Sequence, residues 1–120
     1  MLKTYRELLV WQRAMEFAEE IYSLSQPFPS EEKYGLTSQL RRAVVSIPIN
    51  IAEGYGKHHR KEYVHHLYIA RGSLCETETL IALAVRLGFC DRERALPVWD
   101  RSSEVGVLLL RLIASLKPKR

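Results

Sequence analysis

Glu62 and His65 stand three residues apart in Glu62-Tyr63-Val64-His65, the E-x-x-H element with which one turn of helix offers a carboxylate and an imidazole to a metal. Di-metal helix bundles carry that element twice and add a glutamate from each of two further helices. This chain has one copy, and only Glu53 is placed to act as a partnering glutamate. His58, Glu62 and His65 or His66 can share a face that would trap zinc or nickel adventitiously, but no functional metal site and no cofactor is expected.

A second polar constellation is the row Arg42, Ser46, Asn50 and Glu53. Its three-and-four spacing fits a structural hydrogen-bond row within or between subunits better than a catalytic one, with Arg42 pairing Glu76 or Glu78. No G-x-S-x-G, Walker loop, dinucleotide fingerprint or HExxH occurs, and Gly54-Tyr55-Gly56 is too short to cradle a phosphate. Cys75 and Cys90 lack CxxC or His/Cys ligand spacing and read as two free thiols in a reducing cytoplasm. No residue is assigned a catalytic role.

The elements that must position these groups are helices. Leu8, Trp11, Met15, Ala18 and Tyr22 form a core stripe of a first helix over about 5–24, beside a neighbouring stripe of Val10, Ala14, Phe17, Ile21 and Leu24. Pro27 and Pro29 stop that helix. The second, over about 34–55, carries Leu36, Leu40, Ala43, Val44, Ile47 and Ile51 toward a core, with Pro48 expected to loosen or kink it and Gly54 and Gly56 to end it. A third helix over about 59–87 repeats every seven residues through Tyr63, Leu67, Ala70, Leu74, Thr77, Ile81 and Ala84. Gly72 in its middle suggests a close approach to the Ala52 or Val45 face of the second helix. The fourth, over about 91–117 with Asp91 as N-cap, steps through Trp99, Ser102, Gly106, Leu109, Ile113 and Leu116; Pro97 either breaks its first turn or begins it after a short lead-in.

Val45, Pro48, Ile49, Ala52 and Tyr55 make a second apolar stripe on the second helix, about a quarter turn from the first. One small core cannot cover both, so the expected cover is another copy of the same chain. The class is therefore all-α, an antiparallel up-down four-helix bundle of one domain over residues 1–120, assembling into a ring-shaped homo-oligomer.

Three stretches support this independently: YRELLVWQ from Tyr5, FPSEEKYGLTSQLRRAVVSIPINIAEGYG from Phe28 and LYIARGSLCETETL from Leu67. In that order they resemble the four-helix bundle family associated with intervening sequences of bacterial 23S ribosomal RNA genes. The strings SIPINIAEG and ARGSL are specific, and the likeness runs to about Phe89. It implies an up-down bundle in a ring, commonly a pentamer, and a distant kinship to accessory variability proteins of diversity-generating retroelements, which bind nucleic acid and a reverse transcriptase.

Charge narrows the partner. A net +4 and pI near 9.2 permit nucleic acid without demanding it. In an up-down bundle the N-terminus, the turn between the second and third helices and the C-terminus share one end, which collects Lys3, Arg6, Lys57, His58, His59, Arg60, Lys61, Lys117, Lys119 and Arg120. Lys57, Arg60 and Lys61 precede or begin the third helix, where the helix dipole disfavours cations; they either hold a phosphate or face the last carbonyls of the second helix. Tyr55, Tyr63 and His58 or His59 can stack on unpaired bases there. The N-terminus has charges inside any apolar stretch and no segment is long enough to span a membrane, so a cytoplasmic protein is expected. Two classes follow: a non-enzymatic nucleic-acid-binding ring, or a protein-protein assembly module, such as a reverse-transcriptase accessory protein, without nucleic-acid contact.

Overall fold

A computed structural model of the chain describes residues 4–118, with four α-helices and no strand among them. They are α1 (Leu9–Ser25), α2 (Leu36–Tyr55), α3 (Arg60–Arg86) and α4 (Arg92–Ser115), with 3-10 turns at Tyr5–Glu7 and Ser30–Glu32. Links this short make successive helices antiparallel. α1 lies against α2 and α4, α3 lies against the same two, and the diagonal pairs do not touch. The result is a square bundle of 49 × 24 × 23 Å.

α1 begins later than the sequence pattern suggests because Thr4 caps a separate turn. Its hydroxyl accepts the Arg6 N–H at 3.0 Å and its own N–H donates to the Glu7 carboxylate at 3.3 Å. At the other end of α1, Arg41 reaches over from α2. Its Nε donates to Ser25 Oγ at 2.9 Å and its Nη2 to the Tyr22 carbonyl at 3.3 Å, with the guanidinium 4.6 Å from the Tyr22 ring centre. α3 ends where Gly88 takes φ +80°, so that the Gly88 N–H reaches Val85 O and the Phe89 N–H reaches Ala84 O; a side chain at that φ would be strained. Asp91 occupies the N-cap of α4 without a side-chain cap bond, and α4 continues through Pro97 in its second turn, neither broken nor begun there.

Phe17, Ile21, Leu40, Ile47, Ile51, Leu67, Ile81 and Leu109 fill the core. The seven-residue repeat of α3 is buried from Leu67 to Ala84. α1 corrects the expectation in part: its core holds Val10, Ala14, Phe17, Ile21 and Leu24, and of the other stripe Ala18 is buried, Leu8 and Trp11 are half-buried, and Met15 and Tyr22 are exposed. With the stripe of smaller residues inward, Arg13, Glu16 and Glu20 on its flank pair with Arg101 and Glu104 of α4. In α4, Ala95, Val98, Ser102, Val105, Leu109 and Ile113 are buried, whereas Trp99, Gly106 and Leu116 sit at the margin.

The close helix approach is likewise elsewhere than Gly72, which is exposed and faces open space. It is at Gly54, a buried member of the last turn of α2, where a Cβ would lie 2.8 Å from the His66 Cβ and 3.2 Å from the Tyr63 carbonyl oxygen. Gly54→Ala should therefore lower stability by about 1–3 kcal/mol, and Gly72→Ala should raise it by up to about 1 kcal/mol. Thermal unfolding of both variants against the parent measures the contrast.

Candidate functional site

The second apolar stripes of α1 and α2 face each other across a surface groove of about 580 Å³. Trp11, Met15 and Tyr22 line one wall and Val45, Ile49 and Ala52 the other. Pro48 is buried at its floor, where a residue with no N–H to offer the Val44 carbonyl still leaves α2 unbroken to Tyr55. Ile49 is half exposed, at 50%. Tyr55 is not part of this groove. It turns toward α3, its ring edge-on to Tyr63 with centres 6.0 Å apart.

Lys57, His58, His59, Arg60 and Lys61 are all exposed on the α2–α3 link and the first turn of α3. Lys117, just beyond α4, is exposed at the same end, as is Arg6, whose guanidinium lies 5.6 Å from the Tyr5 ring centre. Lys3, Lys119 and Arg120 lie outside the described residues. His59 is the N-cap of α3 and makes no side-chain cap bond, which leaves first-turn N–H groups without that partner. Among the described residues Lys57, Arg60 and Lys61 form no salt bridge.

Arginines elsewhere are treated differently. Arg13 and Arg101 are braced by Glu16, Glu20 and Glu104 at 2.9–3.3 Å across the α1–α4 seam. Hydrogen bonding to Glu20, foremost, holds Arg101 above the ordinary guanidinium range, against the cost of its partial burial.

Ser46 and Asn50 join the α2–α3 seam. Asn50 Nδ2 donates to the Ser46 carbonyl at 2.9 Å and to its Oγ at 3.0 Å, Asn50 Oδ1 meets His66 Nδ1 at 3.1 Å, and Ser73 Oγ donates to Ser46 Oγ at 2.9 Å. Glu53 stands at the edge, 3.8 Å from His66 Nδ1. Arg42 is exposed and apart from this network, and Glu78 takes the Ser102 hydroxyl of α4 instead of Arg42. Sequence reasoning missed His66 and Ser73 as partners of the row; their spacing of seven along the α3 repeat was the available signal. Of the E-x-x-H pair, Glu62 and His65 are both exposed, and no group of three or more His, Cys, Asp or Glu side chains that could hold a metal occurs among the described residues. Cys75 is exposed and Cys90 is buried, with burial pushing the Cys90 thiol up. Among the described residues no helix is long and apolar enough to cross a membrane.

A family model described as 23S rRNA-intervening sequence protein matches residues 6–111. The chain belongs to this family. A crystal structure of a protein of unknown function from the S23 ribosomal protein family of Bacteroides thetaiotaomicron is similar at 27% identity and a TM-score of 0.78, covering 88% of this chain and 98% of that one. No curated protein is similar enough to count as a match. The segment matched to the 23S rRNA-intervening sequence family holds the groove, the α2–α3 seam and the basic link, and leaves Lys117 outside.

At the basic end, burial and then the neighbouring Tyr55 push the Tyr63 phenol up to about 12 from an ordinary value near 10. A folded-state pKa raised this way contributes stability in full below pH ~10 and loses it as pH rises toward 12. An ultraviolet tyrosinate titration should show a step near pH 12 that is absent in Tyr63→Phe. The same variant should lose less stability between pH ~10 and pH ~12 than the parent does.

Proposed function

We propose that this protein is a non-enzymatic, cytoplasmic homo-oligomer that binds nucleic acid through the end of the bundle carrying Lys57 to Lys61. The observation that carries the reading is the contrast in how cations are held. Arg13 and Arg101 are neutralised by three glutamates, whereas Lys57, Arg60 and Lys61 stand exposed and without salt bridges beside an uncapped helix start. Unpaired cations next to free backbone N–H groups suit phosphate oxygens. No row of Asn, Gln and Arg faces outward there to read base edges, so binding is of low sequence preference.

The α1–α2 groove supports the oligomer. Its surface runs from Trp11 to Tyr22 on α1 and from Val45 to Ala52 on α2 with Glu19 as its one charged member, and a second copy of the chain is the cover in this reading. A contact that differs on the two subunits closes into a ring when its rotation closes, and the family resemblance favours a pentamer. Each added subunit brings another Lys57-to-Lys61 set to one rim, so modest charge per chain yields useful affinity.

Ile49→Glu or Ala52→Glu should reduce the particle to smaller species in light scattering, because each places an unpaired charge in the covered groove. A stable monomer for the unmodified chain would remove the ring from the proposal. Changing Lys57, Arg60 and Lys61 together to alanine should weaken binding to RNA and DNA of any sequence at unchanged oligomer size. It should also flatten the dependence of log affinity on log salt, by about 0.7 to 0.9 for each phosphate that is no longer neutralised. Equal binding by parent and triple variant, or none by the parent at low salt, would give this end to a protein partner instead.

A further inference from the structure

Beyond the far end of the groove, where α2 begins, Lys33, Tyr34, Thr37, Ser38, Arg41 and Arg42 surround a separate cavity of about 410 Å³. Tyr34 is 88% exposed, the most of any large apolar or aromatic side chain described. A ring this exposed leaves most of its surface open for stacking. Lys33 Nζ lies 5.5 Å from its ring centre. Neither Lys33 nor Arg42 forms a salt bridge among the described residues.

The start of α2 does not itself supply the attraction, since the Glu32 carboxylate takes the Leu36 N–H at 3.0 Å. A separate observation points to a ligand. Thr37 is nine-tenths buried, at 8% exposure, and its Oγ1 is the one buried side-chain polar atom without a hydrogen-bond partner among the described residues. Thr37 stands in the first turn of α2, where the carbonyls three and four residues back belong to Tyr34 and Lys33, before the helix begins. An orphaned buried hydroxyl is costly, and Thr37 lines the cavity. Arg41 is already committed to Ser25 and to the Tyr22 carbonyl, so it forms a fixed wall and leaves the mobile cations to Lys33 and Arg42.

We infer that this cavity binds a nucleotide unit, its base stacked on Tyr34 and its phosphate held by Arg42 and Lys33 with the Thr37 and Ser38 hydroxyls as donors. The occupant is a segment of single-stranded nucleic acid. A duplex hides its base faces, whereas a single strand offers them to a lone exposed ring. The site is distinct from the Lys57-to-Lys61 end, which lies at the opposite terminus of the 20-residue α2, roughly 30 Å away.

Fluorescence anisotropy of a labelled single-stranded oligonucleotide tests it, with the full chain carrying Lys57→Ala, Arg60→Ala and Lys61→Ala so that only this site is read. Adding Tyr34→Ala should weaken binding about fivefold to a hundredfold, while Tyr34→Phe keeps it. Arg42→Ala should flatten the salt slope by about 0.7. Both positions are exposed, so the fold tolerates the changes, which circular dichroism checks. Calorimetry with adenosine monophosphate separates the sources. Saturable binding of the mononucleotide assigns the site to free nucleotides and overturns the strand, and strand binding without it supports the inference. Unchanged oligonucleotide affinity in Tyr34→Ala overturns the site, as does a change in oligomer size with affinity unchanged, which would hand Tyr34 to a second copy.

Discussion

The α2–α3 seam fixes the rotation of α2, and most of the surface follows from that rotation. Ser46, Asn50 and Gly54 recur every four residues and so form one narrow strip of short side chains along α2. Against it lie Tyr63, His66 and Ser73 of α3. Gly54 sets the distance, because nothing larger fits between the helices at Tyr63 and His66. The Ser46–Asn50–His66–Ser73 hydrogen bonds set the register, since a slip along either helix would leave partly buried donors unpaired. With that strip turned to α3 and Ile47 and Ile51 turned to the core, Val45, Ile49 and Ala52 have only the α1 side left.

α1 meets this surface with a stripe that the sequence could not rank. Both of its apolar stripes satisfy the helical period, and the one with the large aromatic residues looks more like a core. The choice goes with contacts on another helix. With Val10, Ala14, Phe17, Ile21 and Leu24 inward, Arg13, Glu16 and Glu20 meet Arg101 and Glu104 of α4, and Trp11, Met15 and Tyr22 face outward. Neither partner arginine nor glutamate is adjacent in sequence, so no local pattern could disclose the choice. α3 was legible for the opposite reason. Its buried stripe follows a seven-residue repeat from Leu67 to Ala84, while Tyr68, Ile69 and Leu83, which lie exposed, are too few to form a continuous second stripe. Glycines were misread by the same logic: Gly54 looked like a stop because it lies two residues from Gly56, although its role is to admit His66, which is remote in sequence.

One stripe of each helix is buried and the other lines the groove. The groove is bounded by Trp11 and Ala52 toward the basic end and by Tyr22 and Val45 toward the start of α2. Tyr22 and Val45 also border the Tyr34 cavity. The groove and that cavity therefore share a border, and Arg41, stacked on Tyr22, lies on the cavity side of it.

The layout along α2 bears on the proposed nucleic-acid contacts. One rigid helix, α2, carries a cationic group at each terminus, Lys33 and Arg42 at its start and Lys57 to Lys61 past its end. Its length of about 30 Å is fixed, and Pro48 does not interrupt it. A strand touching both groups must run the length of α2, and a path along the groove crosses a mostly apolar lining with no cation among its residues, where taking phosphates out of water is costly. A second subunit on the groove, as proposed, would close that path. In the proposed particle, then, the two cationic groups would act on separate segments of nucleic acid, with the bundle as the spacer that holds them apart.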